Sequence, residues 1–158
     1  TESPSGKELN LTEDSIKKYY RAAASLKSRY SDIEFEGPAV AAVQMLASGK
    51  DLKAELAKEG IDFEEFSGTA NAILKVMMEG AADAMAEQFI PQIEAAIQSL
   101  EATDTSGYAA EQIEALKKSI EEQKQKLEEA RIKLSSAEYQ ERKRQIEMIN
   151  AVRSEAGF

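Results

Sequence analysis

GIDFEEFSGTANAILKVMMEGAADAMA, running from Gly60 to Ala86, decides how the rest of the chain is read. Asp62 and Glu65 form a D-x-x-E capping pair, and Ile61 stands where a hydrophobic staple reaches Phe66. Behind that start come Ala70, Ala72, Ile73, Leu74, Val76, Met77 and Met78, apolar on nearly every side of a helix. A helix apolar all round is one surrounded by others. The stretch therefore predicts a buried central helix from Asp62 to about Thr103. Gly80, Ala81, Ala82, Ala84 and Ala86 add small side chains that let a neighbour approach closely. Pro91 removes one backbone donor and predicts a kink near Gln88 to Ile90. Ile93, Ile97 and Leu100 carry the apolar stripe onward.

Helical signals continue on both sides. Upstream, Thr12 can cap, Glu13 and Asp14 suit the positive end of a helix dipole, and Leu11 can staple against Ile16. Ile16, Tyr19, Tyr20, Ala23, Leu26 and Tyr30 then recur at helical spacing. Gly37-Pro38 breaks the chain and starts a short apolar helix with Val40, Val43, Met45 and Leu46. Asp51 to Lys58 predicts another short helix, stopped at Gly60. Downstream, Thr103 to Gly107 is a loop. Ile113, Leu116, Ile120, Leu127, Ala130 and Leu134 then follow a heptad in which Gln123 is the polar member. Ser135 and Glu138 form an S-x-x-E box that opens a last helix, with Tyr139, Ile146, Ile149 and Val152 as its stripe. A turn at Ser135-Ser136 is expected between the two, because Glu141 would otherwise fall in the seam. The ending Ser154 to Phe158 is expected to fray.

The 158 residues fit one domain. Cysteine and histidine are absent, which excludes thiol and imidazole catalysis, disulfides, Cys/His zinc sites and His-bearing di-iron bundles. Net charge is −9, from 20 bases and 29 acids. Nine acids against Lys75 fall between residues 60 and 107, whereas residues 12 to 30 carry five bases against Glu13 and Asp14. The basic first helix is therefore expected beside the acidic middle one. An acidic surface repels phosphate backbones, so no nucleic-acid partner is expected. The best basic run, Arg142-Lys143-Arg144, is flanked by Glu138, Glu141 and Glu147 and reads as a solvated helix face.

Three constellations invite a functional reading. Glu79, Asp83 and Glu87, four apart, share a helix face and could hold a metal or work as acid and base. Without histidine partners they read as a solvent-facing stripe. Tyr19, Tyr20, Tyr30, Tyr108 and Tyr139 read as core and rim packing rather than a pocket. Met45, Met77, Met78, Met85 and Met148 could form an adaptable binding surface, but the apolar run around them favours core filling. No catalytic, cofactor-binding or metal-ligating residue is assigned, and no cofactor.

Two patches, LTEDSIKKYY (Leu11 to Tyr20) and GIDFEEFSGTANAI (Gly60 to Ile73), are similar to a pattern of secreted, all-helical bacterial proteins of uncharacterised function. There a helix start of the form L-T…V…Y precedes a G-F-x-s-x-x-x-W turn into a central helix. Ile61 stands here at the Phe position, and Phe66 stands one residue before the Trp position. The resemblance implies export and a helical fold, and carries no active site. The polar opening TESPSGKELN reads as a flexible leader behind a removed signal or lipid anchor, or as a trimmed boundary.

These readings converge on an all-α, single-domain antiparallel bundle of five or six helices over residues 11–158, with a buried central helix and a leader at 1–10. The expected function is a non-enzymatic, periplasmic or secreted binding protein, soluble, with no membrane span and a protein or small-molecule partner. The alternative is a cytosolic adaptor or coiled-coil-like assembly module using residues 108–155. A monomer is expected, because the last helix and the stretch after Pro91 can cover the heptad seam within the chain, and because a net charge of −9 disfavours like-with-like contact.

Overall fold

The computed structural model describes residues 11–158, and the leader expected at 1–10 lies outside them. Six helices make up the described chain, which is all-α: α1 (Glu13–Arg29), α2 (Pro38–Ala47), α3 (Leu52–Lys58), α4 (Phe63–Glu101), α5 (Ala110–Ser135) and α6 (Ala137–Glu155). Contacts group them into two compact units. One takes the described residues up to Met78 together with Arg144–Phe158, and the other takes Glu79–Lys143.

The first unit holds the large apolar core. Its helix starts are set by side chains. Thr12 Oγ1 accepts from Ser15 N at 3.1 Å while Ser15 Oγ accepts from Thr12 N at 2.9 Å, a reciprocal cap on α1. Asp51 caps α3 through Lys53 N at 3.1 Å, and Asp62 caps α4 through Glu65 N at 2.7 Å. Between α3 and α4 the chain turns through Gly60, at φ +78°, where Ile61 N reaches back to Leu56 O at 3.2 Å. That left-handed turn swings Ile61 into the core. Ile16, Tyr19, Tyr20 and Leu26 of α1 pack with Phe35, Met45, Leu56, Phe66, Ile73, Ile149 and Val152. The Tyr19 ring lies 4.7 Å from that of Phe66 and 4.9 Å from that of Tyr20, and its hydroxyl donates to Glu36 O at 3.3 Å.

Charge pairing ties the same helices together. Lys18 meets Glu65 at 3.0 Å, joining basic α1 to the acidic start of α4. Arg29 spans Glu55 on α3 at 2.8 Å and Glu59, the C-terminal cap of that helix, at 2.6 Å. Glu55 also accepts from Lys58 at 3.0 Å. The hydrogen bond from Lys58, followed by the charges of Lys58 and Arg29, holds the Glu55 carboxyl below its ordinary 4.5. Burial works against that shift but does not cancel it.

The structure corrects three sequence expectations. The central helix is not buried on all sides: Phe66, Ala70 and Ile73 face the core, while Leu74 and Met78 are exposed, Met78 at 64%. Pro91 lies inside α4, which is continuous from Phe63 to Glu101. Second, the cap of α6 is Ser136 rather than Ser135, its Oγ accepting from Tyr139 N at 3.2 Å. Third, the C-terminal end does not fray. Gly157 adopts φ +88°, Phe158 N bonds Arg153 O at 3.2 Å, and the Phe158 ring packs 5.6 Å from Tyr20 beneath Lys27.

Two stability measurements check this arrangement. In urea unfolding, Phe66→Ala should cost about 3–5 kcal/mol, the range for truncating a buried aromatic ring. Met78→Ala should stay within about 0.5 kcal/mol, as for other exposed positions. Equal losses at both would mean that α4 is enclosed after all. The second measurement is acid titration. A carboxyl whose folded pKa is depressed stabilises the fold above its unfolded value and loses that contribution as pH falls through the folded one. Glu55→Gln should therefore lower the urea midpoint at pH 7 and converge with the parent protein below pH 4.5. Parallel profiles down to acid unfolding would remove Glu55 from this role.

Candidate interaction surfaces

The second unit is built on one register. On α4, Asp83, Ala86, Ile90, Ile93, Ile97 and Leu100 are buried or half-buried at alternating three- and four-residue steps. On α5 the half-buried positions are Ile113, Leu116, Ile120, Gln123, Leu127, Ala130 and Leu134, and every other residue of that helix is exposed. The heptad read from the sequence is therefore the face α5 turns inward. Ion pairs fix the direction. Lys124 meets Glu101 at 2.9 Å and Arg131 meets Glu94 at 2.5 Å, so seven residues forward on α5 match seven back on α4. Arg142, eleven further on, meets Asp83, eleven further back, at 2.6 Å. The pairing is antiparallel, and it holds its register through the extended Ser136 that separates α5 from α6.

This register places the acidic face of α4. Asp83 is 4% exposed, and both its oxygens accept from Arg142, from Nε at 2.6 Å and from Nη2 at 3.2 Å. Arg142 Nη1 donates to Glu79 at 3.2 Å, and the Tyr139 hydroxyl donates to the Glu87 carboxylate. The hydrogen bond that Arg142 donates to Asp83 raises the pKa of Arg142, which stays charged. Of the stripe that their spacing predicts, Glu79 and Glu87 are exposed as expected, whereas Asp83 is buried, and all three are engaged from α6. Asp83 falls in phase with Ile90 and Ile97 at the seven-residue repeat, and that phase was the sequence signal for its burial. The Arg142-Lys143-Arg144 run likewise divides: Arg142 is half-buried and supplies the pair, and Lys143 stacks over the Tyr139 ring at 5.5 Å. Among the described residues no group of three or more His, Cys, Asp or Glu is placed to hold a metal ion.

The tyrosines act as packing residues. Tyr19, Tyr20 and Tyr139 are buried and Tyr30 is half-buried, while Tyr108 is exposed. Burial raises the pKa of Tyr19 and of Tyr20. The methionines split. Met45 is in the core and Met148 packs against it, but Met77, Met78 and Met85 are exposed. Core filling, expected for all five, holds for two.

What remains on the outside is apolar to an unusual degree. On α2, Ala41 and Met45 are fully buried, whereas Val43 and Leu46 are 68% and 70% exposed and Val40 is also exposed. From Gly37 to Gly49 there is no charged side chain, in a chain that is 31% charged. On α4, the exposed apolar residues are Leu74, Met77, Met78, Met85 and Phe89. Sequence reasoning missed both faces because it assigned every apolar position to the core. A shallow depression on the outer side of α5, between Glu111 and Glu121, is lined by one helix only and encloses nothing.

No helix among the described residues is long and apolar enough to cross a membrane. No family model, no curated protein and no solved structure matches this chain.

The Asp83–Arg142 pair makes a direct stability prediction. Removing one partner of a buried pair leaves an uncompensated charge and costs about 3–5 kcal/mol. Arg142→Met should show that loss in urea unfolding. Asp83→Leu combined with Arg142→Met should recover most of it, because the pair itself contributes little relative to apolar packing. A double variant no better than Arg142→Met would mean that the pair matters for more than charge balance.

Proposed function

We propose that this protein is a non-enzymatic, exported interaction protein that binds its partner through the outward face of α2. One observation carries the reading: Val40, Val43 and Leu46 are exposed on a helix whose opposite side is anchored in the core. Contiguous exposed apolar surface on a folded protein marks a contact site. Anchoring by Ala41 and Met45 presents that surface on a rigid platform, which lowers the ordering cost of binding. With no charge between Gly37 and Gly49, the fitting partner is an amphipathic helix or an apolar segment rather than a charged ligand.

The non-enzymatic part is supported by the engagement of the carboxylates. Asp83, Glu79 and Glu87 are held by Arg142 and Tyr139, and histidine and cysteine are absent. Export is supported by the resemblance carried by Leu11 to Tyr20 and Gly60 to Ile73. The alternative, an assembly module using residues 108–155, loses its main support because the α5 seam is taken up within its own unit.

Peptides selected against the protein from a displayed library test the site. They should be amphipathic, and Val43→Glu with Leu46→Glu should weaken their binding at least tenfold while the circular dichroism is unchanged. Selected peptides that bind the double variant equally well would move the partner site off α2.

A further inference from the structure

The register of the second unit leaves the first half of α5 with no helix opposite it. Lys124 is level with Glu101, Arg131 with Glu94 and Arg142 with Asp83, all in one antiparallel register. Glu101 is also where α4 stops. Since α5 begins at Ala110, fourteen residues before Lys124, it projects about 21 Å past the end of α4 at 1.5 Å per residue. The segment 102–109 has to run back along that projection to reach Ala110, and eight extended residues span about 26 Å. Its burial agrees. Thr103 and Thr105 are half-buried while Ala102, Asp104 and Ser106 are exposed, the two-residue alternation of an extended stretch with one face covered. On α5, Ile113, Leu116 and Ile120 are half-buried, whereas Ile132 on the outer side of the same helix is 62% exposed. Within this unit α4 has ended and α6 runs on from the other end of α5, which leaves 102–109 to cover these three.

We propose that residues 102–109 are a releasable strap, which lifts from the first half of α5 in a local opening that the rest of the molecule does not share, and that this half of the helix unwinds with it. The strap is fastened only near its own ends. Thr103 Oγ1 donates to Ser99 O at 3.0 Å, Asp104 Oδ1 accepts from Ser106 N at 3.0 Å, Tyr108 N donates to Thr105 O at 3.0 Å, and Gln112 Oε1 accepts from Ala109 N at 2.9 Å. Each of these joins residues no more than four apart, so the hold on the middle of the projection rests on Thr103 and Thr105. Tyr108, the large side chain of the segment, is 43% exposed. A stretch with so little buried apolar surface belongs to the low-stability end of a structure. The second half of α5 is held differently: Leu127, Ala130 and Leu134 face the α4 stripe of Ile90, Ile93 and Ile97, and two ion pairs cross beside them. Once uncovered, a helix of about fourteen residues is marginal in water. Opening bares Ile113, Leu116 and Ile120, a stripe kept covered at rest, unlike the standing exposed face of α2.

Hydrogen exchange of the whole chain tests the proposal, followed amide by amide by NMR in urea below the unfolding transition. Amides from Glu114 to Glu122 should exchange through an opening insensitive to urea, at least about tenfold faster than those from Lys126 to Lys133 of the same helix. Amides from Tyr20 to Leu26 should be slowest, with the urea dependence of global unfolding. Thr105→Val, which replaces a hydroxyl by a methyl on the covered side, should slow the Glu114–Glu122 set severalfold. Thr105→Asp, which sets a charge against the stripe, should speed it by about tenfold. Both variants should leave Lys126–Lys133 and α1 unchanged, an internal control that the fold is intact. Equal rates and equal urea dependence in the two halves of α5 would overturn the proposal, because the projection would then open only with the rest of the unit. So would Glu114–Glu122 amides that exchange as fast as an unfolded chain, which leaves no closed state, or indifference to both Thr105 variants, which would mean that something else covers the stripe. The α2 reading is tested by peptide binding and this one by exchange, so the two fail separately.

Discussion

The buried carboxylate of Asp83 has to be neutralised, and in the second unit that constraint organises everything else. Asp83 sits at a seam position where its neighbours in phase are Ile90, Ile93 and Ile97. A bare carboxylate there would face a desolvation penalty of several kcal/mol. Arg142 removes it with two hydrogen bonds from one guanidinium, a geometry that a lysine cannot reproduce. Once Arg142 is committed to Asp83, the register of α6 on α4 is fixed. Glu79 and Glu87 then fall within reach of the third guanidinium nitrogen and of Tyr139. Arg131 and Lys124 repeat the match further along. Apolar burial alone would tolerate a slip of one heptad along this face, since isoleucine recurs in it, whereas the charges do not.

The same constraint explains the exposed side of α4. A helix whose acids are spent on one face has little charge left for the opposite one. Between Asn71 and Gln92 that opposite face carries leucine, methionine, alanine and phenylalanine.

How far the fold was legible follows from the same physics. Starts and stops were readable, because capping is local: Thr12, Asp62, Gly60 and the break near Ser135 are all near where their chemistry puts them. The α5 seam was readable because a heptad over 26 residues has one phase. The burial of α4 was not. Leu74, Met77 and Met78 lie in the same run as Ile73, and composition alone does not distinguish a helix with five neighbours from one with an open side. The inward turn of Asp83 was misread for the reverse reason. Acids spaced by four imply solvent until a cation is shown to face them, and Arg142 is 59 residues away in sequence. The docking of Phe158 was hidden too, since a terminal aromatic after glycine has no periodicity to place it.

These misreadings bear on what the protein can do. The chain spends its surface unevenly. Nearly a third of its residues are charged, yet none lies between Gly37 and Gly49, where each of Val40, Val43 and Leu46 points to water. Replacing an exposed valine or leucine by lysine costs a helix almost nothing and lowers the hazard of association. Apolar exposure with no return in folding stability is therefore expected to persist only where association is the purpose. On α2 the exposed set is borne by a helix whose other side, Ala41 and Met45, is fully buried.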